Sequence, residues 1–348
     1  MQVSIASIGD IVTDPVTGRR LSVPEKHEQT VELAVAAEAA GLHGIHVGEH
    51  HGTAYAYSSP PVILGAIAQR TSRLRLGTGV ALLANLDPVR VAEDYATVDI
   101  LSRGRVEIVG GRGGFFPAIY EMFGQSVDES QEMFDENLRL LLKIWTESPV
   151  YWHGKYRAEL TGQRVVPEPV QRPHPPVWIG AGFSLASTAL CAELGLPLML
   201  PVVTFQPARK WAAPAARFRE QWAEAGRSEP CRVGAVVHAH VARTSQLARQ
   251  RWAPRYGAYF DWATRILGGP GHARPSFMAE FDYDLIAGPE GCAVAGSPAE
   301  VVDKLSWLAE LLGGLDTVLL SVDVGGLPRA EMLDAVELIG AEVLPALR

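Results

Sequence analysis

The sequence predicts an α/β protein folded as a (β/α)8 TIM barrel with an insertion between strands seven and eight. Three observations predict it. Short apolar runs alternate with longer helix-period segments eight times along the chain. Several of the runs are β-branched and almost continuously apolar, as strands buried on both faces are. The 348 residues exceed the ~250 of a bare barrel, but barrels carry insertions without splitting, so one domain over residues 1–348 is expected.

The candidate strands are Val3–Ile8, Gly44–Val47, Leu74–Leu82, Arg105–Val109, Val177–Ile179, Pro197–Val203, Val233–Val241 and Thr317–Val322. Between them lie helical segments. Glu25–Ala40 is alanine-rich and stops at Gly41, and Pro61–Gln69 follows. Asp87-Pro88 is an N-cap with proline at the first helical position, opening a helix to Leu101. Ser126-Val-Asp-Glu129 reads as a capping box, and Phe134, Leu138, Leu141 and Trp145 behind it share one helical face. Ser297-Pro-Ala-Glu300 reads as a second capping box, leading to Val301, Leu305, Leu308 and Leu312. The last helix runs from about Pro328 to Leu347. The alternative, an open doubly wound sheet, would carry GxGxxG after the first strand; Ile8-Gly-Asp-Ile-Val-Thr13 stands there instead. The connection before the last strand is long and rich in glycine and proline, which marks a lid or a disordered loop. A mobile lid over about 267–295 is the expectation, with Phe277, Met278, Phe281 and Tyr283 on its underside or docked on the barrel wall.

Hydrophobic residues make up 47% of the chain and charged residues 20%, which suits a packed core rather than disorder. A net charge of -8 argues against a nucleic-acid partner. Cys191, Cys231 and Cys292 are far apart and form no CxxC pair, which points to a reducing cytoplasm rather than a disulfide or zinc framework. No signal-peptide pattern or membrane-length apolar run is present in the sequence.

Barrel sites lie at the C-terminal ends of the strands, and four stretches fall there. His43, His46 and Glu49-His50-His51 crowd the end of strand two. They read as a metal site, as a Glu49-oriented acid/base histidine, or as strand-end capping. Gly77-Thr-Gly79 lies within strand three, where glycine serves close approach of a flat ring or tight packing. Gly110-Gly-Arg112-Gly-Gly114 follows strand four and reads as a phosphate cradle or a flexible turn. Gly180-Ala-Gly-Phe-Ser184-Leu-Ala-Ser187 precedes a helix and reads as an anion site or a plain N-cap.

Together these stretches resemble the bacterial luciferase-like flavin monooxygenases. The carriers are Glu49-His50-His51; the run from Leu76-Gly-Thr-Gly through Asp87-Pro-Val-Arg to Ser102-Arg-Gly-Arg105 and Gly113; Pro176-Val-Trp-Ile-Gly180; and Gly296-Ser-Pro-Ala-Glu300. The resemblance covers about residues 1–347. It implies a monooxygenase using reduced FMN and O2 to oxygenate a small organic substrate. The FMN would be supplied by a separate NAD(P)H:flavin reductase. It makes His50 the catalytic histidine and lays Glu49 and the Gly79–Val80 backbone, joined by a cis peptide, against the flavin ring. It assigns Arg112, the Phe183 amide, Ser184 and Ser187 to the flavin phosphate. Gly111 stands where luciferase places a reactive cysteine, so light emission is not implied and a roomier pocket beside the flavin is expected. Members often form homodimers through the helices after strands two and three, though no interface stripe is legible here. A deazaflavin-dependent hydride-transfer dehydrogenase and a non-catalytic flavin-binding protein are the alternatives. The substrate is not spelled in the sequence.

Overall fold

The computed structural model describes residues 1–114, 117–203, 207–268 and 281–347. Twelve strands are described: β1 (Gln2–Ser7), β2 (Gly44–Val47), β3 (Arg75–Thr78), β4 (Ala81–Leu82), β5 (Val106–Gly111), β6 (Val150–Trp152), β7 (Leu160–Gln163), β8 (Val177–Gly180), β9 (Leu198–Pro201), β10 (Val233–Val241), β11 (Val294–Gly296) and β12 (Thr317–Ser321). Strands β1, β2, β3, β5, β8, β9, β10 and β12 pair in parallel in that order, and β12 returns to β1, closing an eight-stranded barrel. The helices are α1 (Val23–Ala39), α2 (Pro60–Ala68), α3 (Pro88–Ser102), α4 (Pro117–Met122), α5 (Ser130–Thr146), α6 (Leu185–Leu194), α7 (Ala212–Glu224), α8 (Ser245–Gly268), α9 (Tyr283–Ile286), α10 (Pro298–Leu311), α11 (Arg329–Leu338) and α12 (Leu344–Ala346). None among the described residues is long and apolar enough to cross a membrane.

Register decides which residues the barrel encloses. Ile5, Ile45, Leu76 and Val106 lie side by side and join the apolar core that the helices cover. One residue further along, Ala6, His46, Gly77 and Glu107 form the next row, on the opposite face of the pleat. A separate cluster of Ala6, Val109, Trp178, Met199 and Leu319 fills the barrel interior.

Local signals held well for most elements. Asp87 accepts from the amides of Val89 and Arg90 and caps α3. Ser297 and Glu300 form the expected reciprocal box, and Ser22 with Glu25 forms another at α1. Phe134, Leu138, Leu141 and Trp145 are all buried.

Three expectations need correction. The Ser126 box does not form: Ser126 accepts from Asp128 N and caps a 3-10 turn, Val127–Glu129, so α5 begins only at Ser130. The third strand is interrupted between β3 and β4, where the Gly79–Val80 peptide is cis. Gly110 and Gly111 belong to a strand rather than a turn, because they pair with β8 and with β4. The described part of the long connection after β10 carries elements of its own. It holds the 24-residue α8 with Pro254 inside it, then α9 and β11, which extends the sheet beside β10. Phe281 packs against Tyr256 and Phe260, and Tyr283 against Trp252. The centre of the expected lid, residues 269–280 with Phe277 and Met278, lies outside the described residues.

Candidate active site at the barrel mouth

The chain leaves β2 through Gly48 and turns over the C-terminal end of the barrel. The buried Glu49 carboxylate serves two partners there. One oxygen accepts from His51 Nε2 at 2.8 Å and the other from Leu82 N at 3.1 Å, tying the β2 loop to β4. The histidine that Glu49 orients is therefore His51, whose ring also meets Phe123 edge-on at 5.0 Å.

His50 points elsewhere. Its backbone N–H donates to Tyr57 O at 2.8 Å. Its ring stacks on Tyr55 with centroids 3.8 Å apart and planes 13° off parallel. Burial pushes the His50 imidazole down to about 3, and neighbouring His51 adds to the effect. His50 is thus neutral at ordinary pH.

His46 lies inside the barrel. Nδ1 donates to Thr78 O at 3.1 Å and Nε2 faces Glu107 Oε1 at 3.0 Å. Burial alone would raise the Glu107 carboxyl, but the His46 hydrogen bond and charge overcome it and hold it at about 2. A Cβ on Gly77 would overlap the His46 ring, which accounts for that glycine. The histidines at this strand end go to separate partners, and no group of three or more His, Cys, Asp or Glu among the described residues could hold a metal ion.

Gly79 and Val80 are half-buried at the mouth. The Val80 side chain leans over both neighbouring strand ends: a Cβ on Gly111 would come within 2.7 Å of it, and one on Gly180 within 2.8 Å. The space a side chain at position 111 would take is filled by Val80, so the expected roomier pocket does not follow.

Beyond Gly111 and Gly180 the two glycine-rich turns converge. Arg112 Nη1 donates to Ser130 Oγ at 3.4 Å, and Tyr120 OH donates to the Arg112 carbonyl. Ser184 caps α6 by accepting from Ser187 N at 3.3 Å. The Ser184 and Ser187 hydroxyls lie 3.1 Å apart, and both donate to Gln131 Oε1, at 3.4 and 3.1 Å. Consecutive residues at the start of α5, Ser130 and Gln131, thus bridge the two turns. Phe183 is 59% exposed and stacks on Trp211 at 4.6 Å.

The family model for luciferase-like monooxygenases matches residues 1–314. This chain belongs to the luciferase-like monooxygenase family. Among curated relatives, limonene 1,2-monooxygenase of Rhodococcus erythropolis is 29% identical over 326 residues, 91% of this chain and 80% of that one. The oxygenase component of a flavin-dependent trigonelline monooxygenase of Acinetobacter baylyi is 27% identical over 172 residues, 49% of this chain and 46% of that one. The chain spans about half the length of the first curated relatives it matches. Among solved structures, monooxygenase RslO1 from Streptomyces bottropensis superposes with a TM-score of 0.86 at 26% identity, covering 100% of both chains. The oxygenating constituent of 3,6-diketocamphane monooxygenase from Pseudomonas putida, in complex with FMN, has a TM-score of 0.76 at 20% identity, covering 100% of this chain and 99% of that one. An F420-dependent secondary alcohol dehydrogenase has a TM-score of 0.73 at 18% identity, covering 100% and 99%. At that identity the last two speak for the fold alone.

In this luciferase-like chain two groups of residues escaped the sequence reading. Ser130 and Gln131 gave no local signal beyond polarity at a helix start. Tyr256, Tyr259 and Trp262 of α8 did: with Trp252 they recur at helical spacing, and they crowd the mouth beside His50. Tyr55 OH lies 3.3 Å from Tyr259 OH, Trp262 meets Tyr55 edge-on at 4.6 Å, and His238 Nδ1 lies 2.9 Å from Tyr256 OH. Beneath the loop after β1, Lys26 sits between Asp323 at 2.9 Å and Asp10 at 3.7 Å. Burial opposes its charge, yet Asp323 and Asp10 raise its pKa well above the ordinary lysine value.

Proposed function

We propose that this chain is a single-domain, flavin-dependent monooxygenase that uses reduced FMN and O2 to oxygenate a small organic substrate. The observation that carries the reading is one continuous surface across adjacent strand ends. It runs from the half-open Gly79–Val80 ledge over Gly111 and Gly180 to Arg112, Ser184 and Ser187. A guanidinium, two hydroxyls and a helix N-terminus are a donor set suited to a phosphate. Glu49 fixes the wall beside the ledge, and Phe183 supplies a backbone amide at the turn. Reduced FMN held there supplies the electrons that activate O2, one oxygen atom going to substrate and the other to water.

The residues of this chain then do the rest. Neutral His50, held flat by Tyr55, is able to take or return a proton at an imidazole nitrogen during oxygen transfer. Tyr55, Tyr259 and Trp262 limit the access of water to the same space. No nicotinamide fingerprint is legible in this chain, and a relative is named as an oxygenase component. Both support a separate NAD(P)H:flavin reductase as partner. The three free cysteines suit a reducing cytoplasm.

The test is anaerobic titration with reduced FMN, oxidised FMN and the deazaflavin coenzyme, followed by oxygen uptake with a substrate panel. Tighter binding of reduced than of oxidised FMN is expected. Equal or tighter binding of the deazaflavin would overturn the FMN reading in favour of hydride transfer.

A further inference from the structure

A cavity of about 290 Å³ opens between the loop after β1 and helix α8. Ile11, Val12 and Trp262 give it an apolar wall, while Arg20, Arg265 and Asp261 stand around it. Two features set it apart from an ordinary surface dimple. Trp262 is its link to the active site, since that ring meets Tyr55 edge-on and Tyr55 stacks on His50. Two rings therefore lead from the cavity wall to the neutral histidine. The second feature is charge. Nearby arginines are matched by carboxylates: Arg255 and Arg251, on the same helix α8, with Asp14 and Asp334, and Arg329 with Glu32. Among the described residues Arg20 and Arg265 have no ion-pair or hydrogen-bond partner, and Asp261 forms no pair with either.

We propose that this cavity is the anchoring subsite for the substrate, and that the substrate is an apolar, ring-sized molecule bearing one anionic group, a carboxylate above all. Arg20 and Arg265 hold the anion as a guanidinium pair, and the apolar body lies on Trp262 and is directed towards Tyr55 and His50. A guanidinium fork matches a carboxylate in geometry as well as charge. The volume is at the small end for a ligand pocket, which sets the size at one or two rings. Asp261 repels the same anion, so the site discriminates against dianions. This assignment rests on the flavin reading above, because the subsite has meaning only beside an oxygenating centre.

The test uses two matched probes, 2-naphthoate and 2-naphthalenemethanol, titrated into the full-length protein at low ionic strength by calorimetry. The same preparation is titrated anaerobically with reduced FMN. Naphthoate should bind about tenfold more tightly than the alcohol, the scale of one charge-assisted contact. Arg265→Ala and Arg20→Ala should each remove most of that preference, added salt should weaken it, and Asp261→Asn should strengthen naphthoate binding several-fold. All three side chains are exposed, so melting curves should stay at the wild-type position. Bound naphthoate should leave reduced-FMN affinity undiminished. If reduced FMN binds but naphthoate shows no arginine-dependent preference, the substrate class is wrong and the flavin reading stands. Competition between naphthoate and FMN would place the anion at the Arg112 turn and overturn the subsite. If naphthoate binds as described but reduced FMN does not bind at all, the flavin reading fails and takes the substrate assignment with it.

Discussion

The histidines of two glutamate–histidine pairs lie within a few residues of each other on β2 and its continuation, and the pairs serve opposite ends. Inside the barrel His46 meets Glu107 at 3.0 Å; at the mouth His51 meets Glu49 at 2.8 Å. Their burial mirrors. The histidine is the more buried partner inside, at 2% against 11%, and the glutamate at the mouth, at 2% against 11%. The inner histidine is held at both ring nitrogens: Thr78 O takes the second one, and Gly77 clears the space for the ring. The outer glutamate spends its second oxygen on the backbone of Leu82, so it braces two strand ends and leaves His50, between it and His51, to turn onto Tyr55. Identical chemistry becomes a filling in one place and a brace between two strand ends in the other, and the difference lies in the third partner.

The largest effect should come from the residue that the outer pair frames. His50→Ala should keep the fold and cut product formation roughly 10²-fold or more, the scale of a lost acid/base group. His51→Ala should cost less, because Glu49 keeps its bond to Leu82. Single-turnover assays with preloaded reduced FMN would measure both, and a dead His51→Ala beside a near-normal His50→Ala would exchange their roles. Next in size is the anion turn. Arg112→Ala should weaken reduced-FMN binding about tenfold, as loss of one charge-assisted contact does, while turnover at saturating flavin stays near wild type. An unchanged dissociation constant would remove Arg112 from the cradle.

Gly77→Ala probes the inner pair. Its methyl overlaps the His46 ring, and a buried overlap costs about 1–3 kcal/mol. Denaturant melts should report that loss, and His46→Ala in the same chain should relieve much of it. If Gly77→Ala alone melts like wild type, the ring moves freely and Gly77 is not what makes room for it.

The smallest effects are in pH. Glu107 is held at about 2 against an ordinary 4.5, so its contribution to stability is complete above the unfolded value and is lost as pH falls from about 4.5 to 2. Glu107→Gln should flatten that part of the stability curve. His50 behaves in the opposite chemical sense. Its imidazole is pushed down to about 3, so acid below 6.5 favours the unfolded chain, which takes up the proton first. The rate should accordingly show no inflection near 6.5 that disappears in His50→Gln.

The eight barrel strands and most of the helices were legible because their signals are local. Asp87-Pro88 and Ser297 to Glu300 cap their own helices, and β-branched runs mark strands whatever lies beside them. The Ser126 box misled because a 3-10 turn satisfies Ser126 one residue earlier than a helix would. The connection before β12 reads as loop from its glycines and prolines, although α8 within it shows its helix in the spacing of its aromatic residues. Family resemblance points to the residues of the candidate site through the distinctive glycines at the ends of β5 and β8. It did not give their neighbours.

By itself the sequence determined the alternation of strand and helix, the length of the insertion and the chemistry available at each strand end. Tertiary structure alone decided who meets whom. His46 reaches Glu107 while His50 reaches Tyr55, Ser187 bonds to Gln131, and Tyr55 meets Tyr259 from a helix some two hundred residues away. The physical reason is register: one step along a strand exchanges the barrel interior for the helix-facing core. Which way each step falls is set by the packing of all eight strands together and by no short stretch of chain.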